Sequence, residues 1–240
     1  PLTTTYSYVA EGYRWINHEI VAEYALALVA DGFGGPGLLI VKCLLGLGVI
    51  GAILWRAQRL GAGLIAACSL ALLVTICLGN HWSLRPQLIS YVSFTLLLAL
   101  LSYCFEGWEG KWELSLSASS ETPLQYSVPR LKLLWLTVPL FVLWTNSHGG
   151  FLAGLCIFLA YLGLRGVEAV SRKGRQADGL LVRFALMGAA AVAATFINPY
   201  GPYFHFWLYD DLKVPRPEIV EWRAPELFDP QFRSEEHTSE

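Results

Sequence analysis

The chain has 240 residues, of which 55% are hydrophobic and only 15% charged, and its formal charge is −2. This profile is typical of a multi-span membrane protein and argues against a soluble enzyme. Because the charge is small and negative, no strongly basic surface is available, and we expect no nucleic-acid partner. The five cysteines lie in apolar runs at spacings that fit no metal motif, so we predict neither a disulfide nor a zinc site.

Residues 1–232 are predicted to form a single membrane domain. Its parts are an outer loop with an interfacial helix at 1–37, the spans at 38–197 and an outer surface segment at 198–232. The chain starts in a polar segment unlike a signal peptide, and we expect it to be a fragment of a longer protein. Residues 233–240 resemble the translation of a sequencing adapter and are predicted to be an artefact.

The first helix is predicted to begin near Asn17. Asparagine is a good N-cap, and Glu19 would lie in the first turn, where the helix dipole favours an anion. The apolar run Ile20–Ala30 contains Glu23 and is too short to cross a membrane, so we predict an interfacial helix. The glycine-rich stretch 31–37 is predicted to end it.

Six apolar segments are then predicted to span the membrane, because each is roughly long enough for a hydrocarbon core of ~30 Å at ~1.5 Å per residue. They lack the regular polar positions of a helix with a wet face, so lipid or other helices must surround them. The fold class is therefore all-α, a polytopic integral membrane helical bundle of about six transmembrane helices plus an interfacial helix. The spans are residues 38–55, 60–78, 86–105, 131–145, 150–165 and 180–197.

The basic residues predict the orientation. If the spans alternate, three loops that share one side of the membrane contain most of the basic residues between spans. The positive-inside rule makes this side cytoplasmic. The loops are 56–59, 106–130 and 166–179, with Arg56, Arg59, Lys111, Arg130, Arg172, Lys173 and Arg175.

The opposite, outer side receives clusters of Asn, His, Glu and Arg. The turn at 146–150 illustrates them: its glycines allow a tight reversal, but Asn146 and His148 are not needed for one. Any single residue of this kind could simply cap a helix end, and that alternative stays open. As a set the clusters indicate a site, because the cytoplasmic loops have no comparable groups. Their members are Asn17, His18, Glu19, Glu23, Asn80, His81, Arg85, Asn146, His148 and Asn198.

Two motif matches carry no function. The pattern GxGxxG at 46–51 lies inside a predicted span without a strand before it, so helix packing explains it better than dinucleotide binding. His18-Glu19 begins like a zinc-protease motif, but Ala22 stands where the second ligand would be, and we predict no metal site. Gly150 and Gly154 are spaced like a helix-contact face.

The outer motifs, taken with their order along the chain, also carry a resemblance. They are Trp15-Ile-Asn-His-Glu19 with Glu23, Gly34-Gly-Pro-Gly37, Arg85-Pro-Gln87 with Ser90-Tyr91, Asn146-Ser-His-Gly-Gly-Phe151, Asn198-Pro-Tyr-Gly201 and Glu221-Trp222. Together they resemble a group of bacterial multi-span proteins similar to GT-C class glycosyltransferases, relatives of the dolichyl-phosphate-mannose–protein mannosyltransferases. The resemblance covers nearly all of residues 1–232.

The resemblance implies that a sugar moves from a polyprenyl-phosphate donor to an acceptor at the outer face of the cell inner (plasma) membrane. It also implies a catalytic acidic residue in the first outer loop, upstream of Asn17-His18-Glu19 and before the start of this chain. The expected partners are membrane lipids and a polyprenyl-phosphate-linked sugar. The sequence identifies no cofactor, sugar or acceptor.

The residues themselves suggest roles in such a reaction. Glu19 and Glu23 are the available candidates for a general base toward an acceptor hydroxyl. Arg85 can bind phosphate bidentately, and His18 or His148 can add donors. Asn17 and Asn146 complete the predicted substrate-binding set.

Two alternatives come from other functional classes. A transporter would place ionisable groups near mid-membrane, often on broken helices, whereas Lys42 and Arg183 lie near the ends of predicted spans. A non-catalytic membrane protein is also compatible with the sequence.

Overall fold

The computed structural model describes residues 16–79, 82–106, 108, 130–173 and 177–213. The regular structure in these residues is helical throughout, with no strand, as the predicted all-α class requires. Expectations for residues 1–15, Asn80, His81, most of the loop 107–129, and everything after 213, including the motif Glu221-Trp222 and the tail 233–240, lie outside the described residues.

Helix α1, Ile20–Arg59, contains both the predicted interfacial helix and the first predicted span. The prediction that the whole stretch 31–37 separates them is wrong. The helix is interrupted only at Gly34, which has a φ of 64° and a ψ of −160°. Glycine adopts this backbone conformation readily because it has no Cβ atom. Pro36 falls in the first turn after the interruption, where its missing N–H group is not needed.

Helices α2, Leu64–Gly79, and α3, Gln87–Cys104, correspond to the next two predicted spans. Helix α2 begins four residues later than predicted because the chain first reverses at Gly61, which has a φ of 84°. Helix α3 begins directly after Pro86.

The fourth predicted span divides into a 3₁₀ helix, Leu131–Leu136, and α4, Thr137–Thr145. Pro139 lies in the first turn of α4 and cannot donate a helical hydrogen bond, which favours a change of helix type just before it. Helix α5, Phe151–Lys173, continues beyond the predicted end at 165, and α6 is Asp178–Ala194.

The chain divides into two compact units, Pro1–Gly201 and Pro202–Glu240. The second unit contains α7, Pro202–Lys213, where only a surface segment was predicted. Proline is compatible with the first position of a helix, so the prolines of this region do not prevent one.

One end of the first unit, which we name the polar end, brings together the predicted outer turns. The Val21 N–H donates to the Asn146 carbonyl at 2.9 Å. Ser90 of α3 and His148 are in hydrogen-bond contact at 2.8 Å. The residues 16–23, 82–90, 146–150 and 197–201 define this end.

The other end, which we name the basic end, brings together the predicted cytoplasmic turns. Arg130 pairs with Glu106 at 2.5 Å, and Arg165 lies over the Phe105 ring, 5.6 Å from its centroid. Arg59 and Tyr103 line one small recess. The described turns therefore lie at two ends of the first unit, while the number of spans and the side of the membrane that each end faces stay predictions.

Among the residues that the structure describes, three helices are long and apolar enough to cross a membrane: Ile20–Arg59, Gln87–Cys104 and Phe151–Ser171. The apolar helices Leu64–Gly79 and Leu131–Thr145 are shorter. Large aliphatic side chains are exposed on the bundle, and Ile65 reaches 84%. Such a surface is unfavourable in water and suits lipid, which supports a membrane location.

The centre of the bundle is packed around Trp144. Its ring stacks on Phe141, with centroids 5.9 Å apart, and meets the edge of Phe94 at 6.2 Å. The benzo ring of Trp144 also lies directly against Gly154 of α5, while Gly150 lies against Ser90. The predicted contact face at Gly150 and Gly154 is therefore confirmed.

Replacing Gly154 with alanine should destabilise the protein by about 1–3 kcal/mol, because the added methyl group would overlap the Trp144 ring. Gly163→Ala is the matched control on the same helix, since a methyl group there meets no atom within 4 Å. The unfolding midpoints of both variants in detergent measure the difference. Equal midpoints would contradict the close packing at Gly154.

The orientation can be tested with single cysteines in a variant without native cysteines. The labelled positions must be exposed, which excludes the buried Ser147 in the turn at 146–150. We choose Leu84 at the polar end and Leu60 at the basic end, which are both exposed. A membrane-impermeant maleimide should label Leu84→Cys in intact cells and Leu60→Cys only after permeabilisation. The reverse pattern would invert the orientation, and labelling of both from outside would show that α2 does not cross.

Candidate functional site

The candidate site lies at the polar end, where three turns are joined by hydrogen bonds. The Asn17 N–H donates to the Tyr200 hydroxyl at 2.9 Å. The Asn146 side-chain amide donates to the carbonyls of Val142 and Ile197, both at 2.8 Å. The start of α1, the α4–α5 turn and the turn after α6 are thus held together.

Asn17 organises the start of α1 without being its N-cap. The helix begins at Ile20, and Asn17 instead accepts the Glu19 N–H on its side-chain oxygen at 2.9 Å. This is an Asx turn, in which an asparagine satisfies the backbone two residues on. Its amide also donates to the Glu23 carboxylate at 2.6 Å, which keeps Glu23 beside the turn.

The carboxylate of Glu19 lies between two imidazoles. Its Oε1 is 3.8 Å from Nε2 of His18 and 3.9 Å from Nε2 of His148. Burial raises the pKa of Glu19 above its usual value, and the Glu23 carboxylate adds to this while His18 opposes it. Glu19 is therefore a more basic carboxylate than one in water.

His148 is held by donors on one of its ring nitrogens. Its Nδ1 accepts the Gly150 N–H at 3.0 Å and contacts the Ser90 hydroxyl at 2.8 Å. Ser90 in turn accepts the indole N–H of Trp144 at 2.8 Å. Burial lowers the pKa of His148 to about 4, with a further lowering by His18, so the ring is neutral at physiological pH.

Three of the predicted site residues are therefore adjacent: His18, Glu19 and His148. Arg85 lies exposed just before α3, five residues ahead of Ser90. The place of Arg85 in the site stays a prediction. The roles of Asn17 and Asn146 in substrate binding also stay predictions, since their observed contacts are with the chain itself.

Two residues of the site were not singled out from the sequence. Ser90 belongs to a motif of the resemblance, but no role was predicted for it, and Trp144 was assigned to an apolar span. A signal was available for Trp144, because an indole N–H inside an apolar segment needs a hydrogen-bond partner.

Within the residues that the structure describes, no group of three or more His, Cys, Asp or Glu could hold a metal ion. A cavity of about 700 Å³ lies between α5 and α6. Its lining includes Leu159, Phe184 and Val192 and no residue of the cluster. Glu19 and His148 remain 28% and 27% exposed, which leaves them accessible to a ligand.

Comparisons with protein-family models, curated proteins and solved structures found no match to this chain. A function must therefore be argued from the geometry of the cluster and from the resemblance of its motifs.

The low pKa of His148 predicts how stability depends on pH. Between pH 6.5, the usual pKa, and about 4, the unfolded chain binds a proton at His148 that the folded protein does not. The free energy of unfolding should therefore fall as the pH falls through this range. Glu19 acts in the opposite direction, because its raised pKa favours the folded state at low pH.

The variant His148→Gln should remove the loss of stability that His148 causes on acidification. Its thermal midpoint should therefore fall less than that of the wild type between pH 6.5 and about 4. The same substitution at His205, in the second compact unit, controls for the loss of an imidazole. Parallel pH curves for wild type and His148→Gln would contradict the buried neutral imidazole.

Proposed function

We propose that the protein is a multi-pass inner-membrane glycosyltransferase, which moves a sugar from a polyprenyl-phosphate donor to an acceptor hydroxyl at the outer membrane face. The observation that supports this most directly is the Glu19 carboxylate, whose pKa is raised, placed between His18 and His148 at one end of an apolar bundle. A general base with a raised pKa suits proton removal from a hydroxyl near neutral pH.

In the proposed reaction, the acceptor oxygen forms a bond to the anomeric carbon of the sugar. The bond from that carbon to the phosphate oxygen breaks, and its electron pair leaves with the polyprenyl phosphate. The acceptor proton passes to the Glu19 carboxylate. Glu23, held against Asn17, keeps a second negative charge nearby and adds to the basicity of Glu19.

The polyprenyl-phosphate donor substrate explains why the site would lie at the membrane surface. Its polyprenyl tail stays in the bilayer and its phosphate at the interface, so the cation that binds it belongs at the end of a helix. Arg85, just before α3 at the polar end, has this position, and its planar guanidinium can bind two phosphate oxygens.

The topology belongs to the same proposal. Six apolar segments, including those in the shorter helices α2 and α4, would each cross the bilayer and place the polar end outside. Helices of 16 or 17 residues, such as α2 and α6, are near the lower limit for a span. Local thinning of the bilayer accommodates such short spans at modest cost.

A transporter is less well supported by the charged residues within the helices. The buried carboxylate of Glu168 accepts hydrogen bonds from Arg165 and from Trp108, each at 2.9 Å. Trp108 lies just beyond the end of α3, so this ion pair is at the basic end and not at the centre of the bundle. A central ionisable group is the feature that a transport pathway would require.

The function can be tested by measuring transfer from polyprenyl-phosphate-linked sugars in membranes that contain the full-length protein. Glu19→Gln should lower kcat by roughly 100-fold or more, because the general base is lost. Arg85→Ala should raise the KM for the donor roughly 10- to 100-fold, and Arg85→Lys should restore only part of this, since an ammonium group lacks the planar fork.

Matched controls are Asp31→Asn, on α1, which begins directly after Glu19, and Arg59→Ala, at the basic end. Both should leave transfer near the wild-type rate. Unchanged transfer in Glu19→Gln and in both Arg85 variants would exclude the proposed roles, and absence of transfer in the wild type from every polyprenyl-phosphate sugar would exclude the function.

A further inference from the structure

We propose that Ser90 and Trp144 fix the tautomer of His148, so that His148 and Glu19 together form a binding site for a neutral hydroxyl group. In this role Ser90 and Trp144 are positioning residues, and only His148 and Glu19 touch the ligand. The inference rests on the proposed function only in identifying that hydroxyl as the one on the acceptor substrate.

The direction of each hydrogen bond around His148 follows from chemistry. A backbone N–H can only donate, so Nδ1 must accept from Gly150. An indole N–H can only donate as well, so the Ser90 oxygen must accept from Trp144. The Ser90 hydroxyl hydrogen is then directed to Nδ1 of His148. Gly150 and Ser90 therefore both donate to Nδ1, which carries no proton.

Neutral imidazole carries its single proton on the other nitrogen, Nε2. This N–H faces Oε1 of Glu19 across 3.9 Å, which is too far for a direct hydrogen bond. One ligand oxygen can bridge the two groups. Two hydrogen bonds of about 2.8 Å that enclose roughly a right angle span this distance, and a hydroxyl accepts one and donates the other.

An anion does not fit the same position. It would have no proton for Glu19 and would meet a carboxylate, while the neutral His148 offers one donor and no charge. The phosphate of a donor substrate must therefore bind elsewhere, in agreement with a separate role for Arg85. The sequence alone suggested that His148 donates to phosphate. In this proposal His148 instead donates to the ligand hydroxyl.

The tautomer can be read by nitrogen NMR on protein with isotope-labelled histidine in lipid nanodiscs. The His148 signals are identified as those missing from His148→Gln. In the wild type we expect an unprotonated Nδ1 and a protonated Nε2. Ser90→Ala should shift the Nδ1 signal, because Nδ1 keeps the Gly150 N–H but loses its second donor, whereas Ser90→Thr, which keeps the hydroxyl, should retain the wild-type pattern.

Ser93→Ala is the matched control, because Ser93 is also buried on α3. A protonated Nδ1 in the wild type would overturn the proposal, and this measurement needs no variant. Ser90→Ala and Ser93→Ala spectra that agree with each other at His148 would overturn the role of Ser90.

Ligand binding is tested with two probes, methyl α-mannopyranoside as a neutral polyol and inorganic phosphate as an anion. The polyol should shift the Nε2 signal of His148, phosphate should not, and Glu19→Gln should reduce the shift caused by the polyol. A shift with phosphate alone, or with neither probe, would overturn the hydroxyl site.

These readouts separate the inference from the proposed function. If the wild type transfers sugar, Ser90→Ala should raise the KM for the acceptor roughly five- to ten-fold and leave the KM for the donor unchanged. An increase in the donor KM instead would overturn the assignment of the acceptor. If no transfer occurs while the polyol still shifts Nε2, the proposed function fails and the hydroxyl site stands.

Discussion

The hydrogen bond from the Val21 N–H to the Asn146 carbonyl is the constraint on which the polar end depends. Val21 is in the first turn of α1, where backbone N–H groups have no partner within the helix. At the surface of an apolar bundle such groups are costly to leave unpaired. The Asn146 carbonyl satisfies one of them, and Asn146 also donates to Ile197. Glu19 precedes Val21 by two residues and His148 follows Asn146 by two, so this bond also brings the carboxylate to the imidazole.

The two ends of the bundle differ in how their charged side chains are compensated. At the basic end, Arg165 lies over the rings of Tyr161 and Trp108, at 5.1 and 5.6 Å, and donates to Glu168 at 2.9 Å. These charges are compensated by each other and by aromatic faces, which is how a charge is stabilised near lipid. At the polar end, Glu19 and Glu23 lie close together, and His148 is held neutral. An arrangement that keeps a carboxylate basic is suited to chemistry more than to stability.

The sequence predicted what depends on composition and on long-range pattern. The all-helical fold and the grouping of His18 and Glu19 with His148 followed from hydropathy and from the positions of polar turns, while the number of spans stays a prediction. The details that failed depend on single backbone angles or on space. Gly34 alone interrupts α1, because only its φ is positive among the glycines of its stretch. The roles of Ser90 and Trp144 could not be read at all, since they come from different helices and meet only after packing.

Gly150 was predicted both as a flexible turn residue and as part of a helix-contact face, and only the second role describes what it does. It was assigned to the turn for its conformational freedom, yet neither it nor Gly149 has a positive φ. What Gly150 provides is space, because a Cβ atom there would lie 2.5 Å from the Ser90 hydroxyl and 3.1 Å from Nδ1 of His148. A Cβ at Gly149 would meet nothing within 4 Å. Gly150 therefore lets Ser90 and its own N–H group approach the imidazole of His148. The hydrogen-bond geometry of this imidazole depends on the absence of a side chain at position 150.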